Sequence, residues 1–116
     1  MLLKGLVIDD NIVNSKRVIF DNLEIMIDSV SNMQQALLLS DKEDYHIINI
    51  NEGCINYKQL FPILRHSQSD ALISVLSDVP DFEDELTALK LGADYYSRIN
   101  KNFVRNMARC TILYNT

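Results

Sequence analysis

The sequence contains few of the residues that interrupt or cross-link a chain. Its 116 residues include three glycines, two prolines and two cysteines. So few glycines and prolines leave little room for long flexible linkers. An apolar content of 47% with 23% charged residues is ordinary for a folded protein. The composition therefore argues against a disordered chain, and we expect one domain over residues 1–116.

Long hydrophobic runs and an excess of basic residues are also missing. No apolar stretch approaches the roughly 18–20 residues that span a membrane, and the first residues lack the basic segment of a secretion signal. The net charge of −5 disfavours direct nucleic-acid binding, because such binding needs a basic surface that displaces counterions. We therefore expect a cytoplasmic protein that binds neither membranes nor nucleic acids.

The two cysteines, Cys54 and Cys110, lie far apart, without a Cys-x-x-Cys motif or a histidine at ligand spacing. A redox pair or a metal site is the functional interpretation, and two unrelated reduced thiols are the simpler one in a reducing compartment. We assign structural or surface roles to His46, which opens a strand, and to His66, which lies late on a helix.

Short apolar runs alternate with longer stretches of helical periodicity. The expected strands are residues 2–8, 24–30, 46–50 and 71–76, with a fifth that begins at residue 95. The expected helices are residues 11–22, a segment capped by residues 31–32, 57–68, a segment from Asp78 or Asp81 to Leu91, and 103–114. This order predicts an α/β fold of flavodoxin-like (βα)5 architecture, with a five-stranded parallel sheet and helices on both faces.

Polar side chains follow several of these strands. In a parallel sheet the functional site lies beyond the carboxyl ends of the strands. Asp9 and Asp10 follow the first strand, and two adjacent carboxylates there need a compensating cation such as Mg²⁺. A solvated turn that caps the next helix is the alternative for this pair. Asn51 follows the third strand, Ser77 the fourth, and Ile99 the fifth.

The segments Val-Ile-Asp-Asp-Asn at residues 7–11 and Gly-Ala-Asp-Tyr-Tyr at residues 92–96 resemble those of response-regulator receiver domains of the chemotaxis type. Residues 28–37 are similar to the family's second strand and helix, and the resemblance covers essentially the whole chain. It implies a non-enzymatic signalling module of a two-component or phosphorelay pathway. In that family an acidic pair holds Mg²⁺, and an aspartate after the third strand accepts a phosphoryl group. A hydroxyl and a lysine then bind the phosphoryl oxygens.

The resemblance carries over only in part. Asp9 and Asp10 match the acidic pair and are expected to hold Mg²⁺ weakly, together with the backbone of Gly53. Ser77 matches the hydroxyl position.

The acceptor position falls on Asn51, whose neutral amide is a poor nucleophile. The lysine position falls on Ile99, which cannot bind a phosphate oxygen. Two separate losses predict a pseudo-receiver with a vestigial phosphate pocket. We therefore expect control through protein–protein contacts without standard aspartate phosphorylation.

The resemblance also implies a partner surface on the fourth helix, fifth strand and fifth helix of the predicted fold. Its predicted residues are Lys90, Tyr96, Lys101 and Arg105, and aromatic side chains are enriched at such surfaces. Tyr96 matches the aromatic residue that changes rotamer on activation. Strand alternation requires that Tyr96 or its neighbour Tyr95 packs into the core. The expected partners are a kinase, an output domain or a second copy, with a homodimer through this surface.

Three alternatives stay open. The chain is a phosphorylatable receiver with an unusual acceptor such as Glu52, or it is the N-terminal regulatory domain of a longer response regulator. The least favoured alternative is a small flavodoxin-like enzyme, because the sequence lacks a glycine-rich phosphate loop and a nucleophile paired with a base.

Overall fold

The computed structural model describes residues 2–9, 16–20, 23–53, 56–100 and 103–114. The strands are β1 Leu2–Ile8, β2 Lys16–Phe20, β3 Leu23–Val30, β4 Ile47–Asn51, β5 Leu72–Ser77 and β6 Tyr95–Arg98. The helices are α1 Met33–Lys42, α2 Tyr57–Ser67, α3 Phe82–Leu91 and α4 Phe103–Tyr114. None of these helices is both long enough and apolar enough to cross a membrane.

The strands form one sheet in the order β2-β3-β1-β4-β5-β6. Five of them, β3, β1, β4, β5 and β6, run parallel to one another. This is the 2-1-3-4-5 order of flavodoxin-like sheets, so the predicted fold class is confirmed. The strand order reverses between β1 and β4, and Asp9 and Asn51 lie at the carboxyl ends of these two strands.

The predicted first helix, residues 11–22, is wrong for residues 16–20. These residues form β2, which pairs antiparallel with β3 at the edge of the sheet, with Lys16 opposite Ile27 and Phe20 opposite Leu23. The run of β-branched and aromatic residues in β2 suits a strand, and pairing satisfies its backbone hydrogen-bonding groups. Ile19, which lies within the predicted helix, is 71% exposed. The start of the predicted helix, at Asn11, lies outside the described residues.

Helices cover both faces of the sheet, as predicted. One face packs against α1, α2 and α3, and its largest buried side chains include Ile48, Ile50, Phe61 and Leu64. The other face packs against α4 through Met107 and Cys110. A side chain at Gly5 would approach the Met107 Cε to 2.7 Å, so glycine permits this close contact between β1 and α4.

The Gly-Ala-Asp segment fixes the position of β6 against β5. Gly92 ends α3 with a φ of 110°, a left-handed conformation that favours glycine. The Asp94 carboxylate accepts hydrogen bonds from the Ile73 N–H at 2.8 Å and from the Arg65 guanidinium at 2.9 Å. These bonds determine where β6 begins and therefore where Tyr96 lies.

Candidate functional site

The parallel sheet brings the predicted site residues to one edge. Asp9 follows β1, Asn51 and Ser77 end β4 and β5, and Ile99 follows β6. Asp9, Asn51 and Ser77 are buried, and Ile99 is half-buried. Asp10, the second predicted carboxylate of the metal site, lies outside the described residues.

The side-chain amide of Asn51 is hydrogen-bonded at both ends. Its Nδ2 donates to Asp9 Oδ2 at 3.2 Å, and its Oδ1 accepts from the Gly53 N–H at 3.0 Å. The Gly53 N–H fixes the orientation of the amide, because a reversed amide would point its NH₂ group at another donor. A carboxylate at position 51 would instead face Asp9 with a second negative charge, which is unfavourable without a cation.

The described part of the predicted metal site fits Mg²⁺ poorly. Asn51 presents its NH₂ group, not an oxygen, to Asp9, and a donor in that place competes with a cation for the carboxylate. Mg²⁺ takes oxygen ligands in octahedral geometry and usually keeps several waters. Within the described residues no group of three His, Cys, Asp or Glu side chains could hold a metal ion.

The hydroxyl and lysine positions are occupied by groups with other contacts. Ser77 is 3% exposed, and its Oγ accepts a hydrogen bond from the Val79 N–H at 3.2 Å. The Ile99 N–H donates to the Ser77 carbonyl at 2.9 Å, and its apolar side chain supplies no positive charge. Arg98, next to Ile99, donates to the Asp78 carbonyl at 3.0 Å. Lys101 lies outside the described residues.

A hydrogen bond between Tyr96 of β6 and Glu52 connects β6 to the loop that follows β4. Tyr96 is the inward member of the tyrosine pair, at 9% exposure against 39% for Tyr95. The Tyr96 hydroxyl donates to Glu52 Oε1 at 3.1 Å. Burial raises the pKa of the Tyr96 hydroxyl above its usual range, and the Glu52 carboxylate adds to the increase. The sequence suggested Glu52 only as an alternative acceptor, and no spacing rule indicates its bond to Tyr96.

A second tyrosine lies near the same carboxylate. Tyr57, the first residue of α2, is 5% exposed, and its hydroxyl has no hydrogen-bond partner among the described residues. Burial raises the pKa of Tyr57 to about 12, with the negative charges of Glu52 and Asp84 contributing. Glu52 and Tyr57 line the same cavity of about 370 Å³. The sequence predicted that Tyr57 begins a helix but gave no indication that it lies near Glu52.

The described residues of the predicted partner surface differ in how exposed they are. Lys90 and Arg105 are exposed, whereas Tyr96 is buried and contributes little surface. The exposed apolar side chains of α3, which we name the α3 stripe, were not predicted as part of a surface. Its members are Phe82 at 70% exposure, Leu86 at 39% and Leu89 at 43%. Their spacing places them on one face of the helix, but spacing alone does not say whether that face is covered.

The remaining candidates lie away from this edge. Cys110 is buried on the side of α4 that faces the sheet, where its Sγ donates to Asn49 Oδ1 at 3.2 Å and burial raises the pKa of its thiol. Cys54 lies outside the described residues. His46 Nδ1 accepts from the Lys4 N–H at 2.9 Å near the start of β4, and His66 is exposed on α2.

Neither a family model nor a curated protein matches the sequence, but solved structures do. A response regulator from Thermotoga maritima has a TM-score of 0.74 at 17% identity, covering 100% of both chains. One from Burkholderia pseudomallei, with a phosphorylated aspartic acid, a calcium ion and citrate, has a TM-score of 0.71 at 22% identity. That match covers 96% of this chain and 70% of the other.

A third similar structure is an atypical orphan response regulator described as revealing a phosphorylation-independent regulatory mechanism. Its TM-score is 0.74 at 19% identity, covering 97% of this chain and 96% of the other. These similarities extend over nearly the whole length of the chain, including all five parallel strands. The chain therefore has the fold of response-regulator receiver domains.

Proposed function

We propose that the chain is a receiver-like signalling module that acts through protein–protein contacts and does not use aspartate phosphorylation. The observation that carries this proposal is the Asn51 amide, which bonds to Asp9 and Gly53 where an acceptor carboxylate would be needed. The similar atypical orphan regulator, described as phosphorylation-independent, supports the same interpretation. The proposed setting is the cytoplasm, and the proposed module is not an enzyme.

The chemistry of phosphoryl transfer supports this proposal. The acceptor must supply an anionic oxygen, and nearby cations must neutralise the oxygens of the transferred group. Asn51 supplies a neutral amide, and Ile99 supplies no cation. We expect Asp9 and Asp10, with the Gly53 backbone, to bind Mg²⁺ weakly, because Asn51 offers Asp9 a hydrogen-bond donor.

The α3 stripe is the proposed contact surface, together with Lys90 and Arg105. An exposed apolar patch on a small protein commonly marks an interaction site. The first turn of α3 is acidic, at residues 83–85, and its last turn carries Lys90. Two antiparallel copies of α3 would therefore place the acidic end of each helix beside the basic end of the other. For this reason we propose a second copy of the chain as the partner, ahead of a kinase or an output domain.

Analytical ultracentrifugation over a concentration series, with and without acetyl phosphate and Mg²⁺, tests this proposal. We expect reversible self-association with the same dissociation constant in both conditions. Association that occurs only with the phosphodonor would contradict phosphorylation-independent control. A strictly monomeric chain in both conditions would contradict the second copy as partner, and the same surface would then be tested against a kinase or an output domain.

A further inference from the structure

A cavity of about 370 Å³ lies beside the vestigial phosphate pocket, where the loop after β4 meets the first turns of α2 and α3. Its lining residues are Glu52, Gly53, Asn56, Tyr57, Lys58 and Asp84. Gly53, Asn56 and Lys58 are exposed, so the rim of the cavity is open to solvent. A cavity of this volume falls within the range that holds small-molecule ligands.

The Tyr57 hydroxyl points to a ligand in this cavity. Tyr57 is 5% exposed, and its hydroxyl has no hydrogen-bond partner among the described residues. An unpaired buried hydroxyl is costly, so a bound group that supplies a partner is favoured by that hydrogen bond. Burial raises the pKa of Tyr57 to about 12, and the negative charges of Glu52 and Asp84 contribute to the increase. The hydroxyl therefore lies close to both carboxylates.

These two carboxylates give the cavity negative charge. Glu52 and Asp84 are half-buried, and neither forms an ion pair with another described residue. Glu52 accepts from Tyr96 through Oε1, and an ionised carboxylate can accept further hydrogen bonds. Lys58 and the amino end of α2 also border the cavity and offset part of the negative charge. The remaining charge suits a ligand with a single positive charge.

From these contacts we propose that the cavity binds a small molecule through a protonated primary amine. The ammonium group donates its three N–H bonds to the Tyr57 hydroxyl oxygen and to the carboxylates of Glu52 and Asp84. A metal ion fits less well, because within the described part of the chain no third Asp, Glu, His or Cys side chain joins the two carboxylates. The ligand requires neither a phosphoryl group nor a second copy of the chain, so this site is independent of the proposed function.

Titration of the isotope-labelled chain with n-butylammonium chloride, followed by proton–nitrogen correlation NMR, tests the site. We expect saturable shifts of the backbone amide signals of Gly53, Tyr57 and Asp84. Tetramethylammonium chloride is the matched salt, because it has the same charge but no N–H donor, and it should cause no saturable shift at these amides. The absence of saturable shifts with butylammonium, or equal shifts with both salts, would overturn the proposal.

Two substitutions remove ligand-binding groups from the cavity while keeping side chains of similar size. Tyr57→Phe loses the hydroxyl and Asp84→Asn loses the negative charge, so each should weaken butylammonium binding by roughly tenfold. Tyr95→Phe and Glu83→Gln are the matched controls, because neither residue lines the cavity, and both should bind as the natural chain does.

Tyr57→Phe also separates lost binding from lost folding. It removes an unsatisfied buried hydroxyl, so it should be at least as stable as the natural chain. Circular dichroism confirms that each variant is folded. Equal affinities of Tyr57→Phe and Tyr95→Phe for butylammonium would overturn the role of the hydroxyl.

A lysine of a second copy would carry the same ammonium group, and sedimentation distinguishes this source. We expect saturating butylammonium to leave self-association unchanged. Weaker self-association in its presence would overturn the small molecule as the ligand and assign the site to a lysine of the second copy. All titrations are made without phosphodonor or Mg²⁺. Phosphorylation of the natural chain would therefore refute the proposed function while leaving the amine site intact.

Discussion

The Asn51 amide donates a hydrogen bond to Asp9 Oδ2 across 3.2 Å, at the point where the strand order of the sheet reverses. An aspartate at position 51 would place two carboxylates face to face here. Asn51 instead places a neutral hydrogen-bond donor beside the single carboxylate of Asp9. Because the amide is neutral, the contact needs no compensating cation, and Asn51 supplies no anionic oxygen of the kind that phosphoryl transfer requires.

Replacing Asn51 by aspartate should destabilise the protein in the absence of metal. The variant loses the hydrogen bond and gains a buried like charge beside Asp9, for an expected loss of about 1–3 kcal/mol in the free energy of unfolding. Mg²⁺ should restore part of this loss in Asn51→Asp and have a smaller effect on the natural chain. Urea denaturation with and without Mg²⁺ measures both quantities.

Asn32→Asp is the matched control, since it adds the same charge at an exposed helix cap where either residue accepts the Gln35 N–H. Its stability should be nearly unchanged and should not respond to Mg²⁺. If Asn51→Asp were equally neutral without metal, Asn51 would not stabilise the site in the way we describe.

Removing the Tyr57 hydroxyl should stabilise the protein. Tyr57→Phe keeps the buried ring and eliminates an unsatisfied donor, for an expected gain of about 1 kcal/mol. Tyr45→Phe is the matched control, because the Tyr45 hydroxyl donates to Asp28 at 2.7 Å and its removal should destabilise the fold. Thermal denaturation of the two variants should therefore give shifts of opposite sign.

Alkaline pH should widen the difference between Tyr57→Phe and the natural chain. The pKa of Tyr57 is about 12 in the folded state, above its value of about 10 in an unfolded chain. The folded state therefore holds this proton more tightly, and its stability contribution is complete below pH 10 and is lost as the pH rises towards 12. Over this window the natural chain should lose stability relative to Tyr57→Phe, by at most about 1.4 kcal/mol per pH unit and by less where solvent screens the hydroxyl. Equal slopes in urea denaturation would contradict the raised pKa.

The α3 stripe should carry self-association without contributing much to stability. Phe82 is 70% exposed, so Phe82→Ser should weaken association by about tenfold or more while changing the free energy of unfolding by less than about 0.5 kcal/mol. Leu38→Ser is the control, because Leu38 is 56% exposed on α1. Sedimentation measurements that gave equal association for both variants would place the contact elsewhere.

Strands β1, β4 and β5 could be predicted because largely apolar runs with β-branched residues signal strands covered on both faces. The edge strand β2 could not be predicted, because the spacing of Ile12 and Ile19 also suits a helix. What distinguishes the two outcomes is pairing with β3, and a partner strand is not visible in a local pattern. Asn32 and Gly92 were recognisable as helix ends because capping depends on local residues.

The position of Asp9, Asn51 and Ser77 at one edge of the sheet could be predicted, because parallel strands end at the same edge. The hydrogen bond between Glu52 and Tyr96 could not be predicted, because it depends on a loop conformation and on the rotamers of two long side chains. The exposure of the α3 stripe likewise depends on how α3 lies against the sheet, which periodicity does not encode.

The intact mass of the chain after incubation with acetyl phosphate and Mg²⁺ tests the central claim most directly. We expect no adduct of about 80 Da on the natural chain, and partial phosphorylation of a variant that combines Asn51→Asp with Ile99→Lys. The restored variant shows that the conditions suffice for phosphorylation. An adduct on the natural chain that disappears in Glu52→Gln would contradict the account and identify Glu52 as the acceptor.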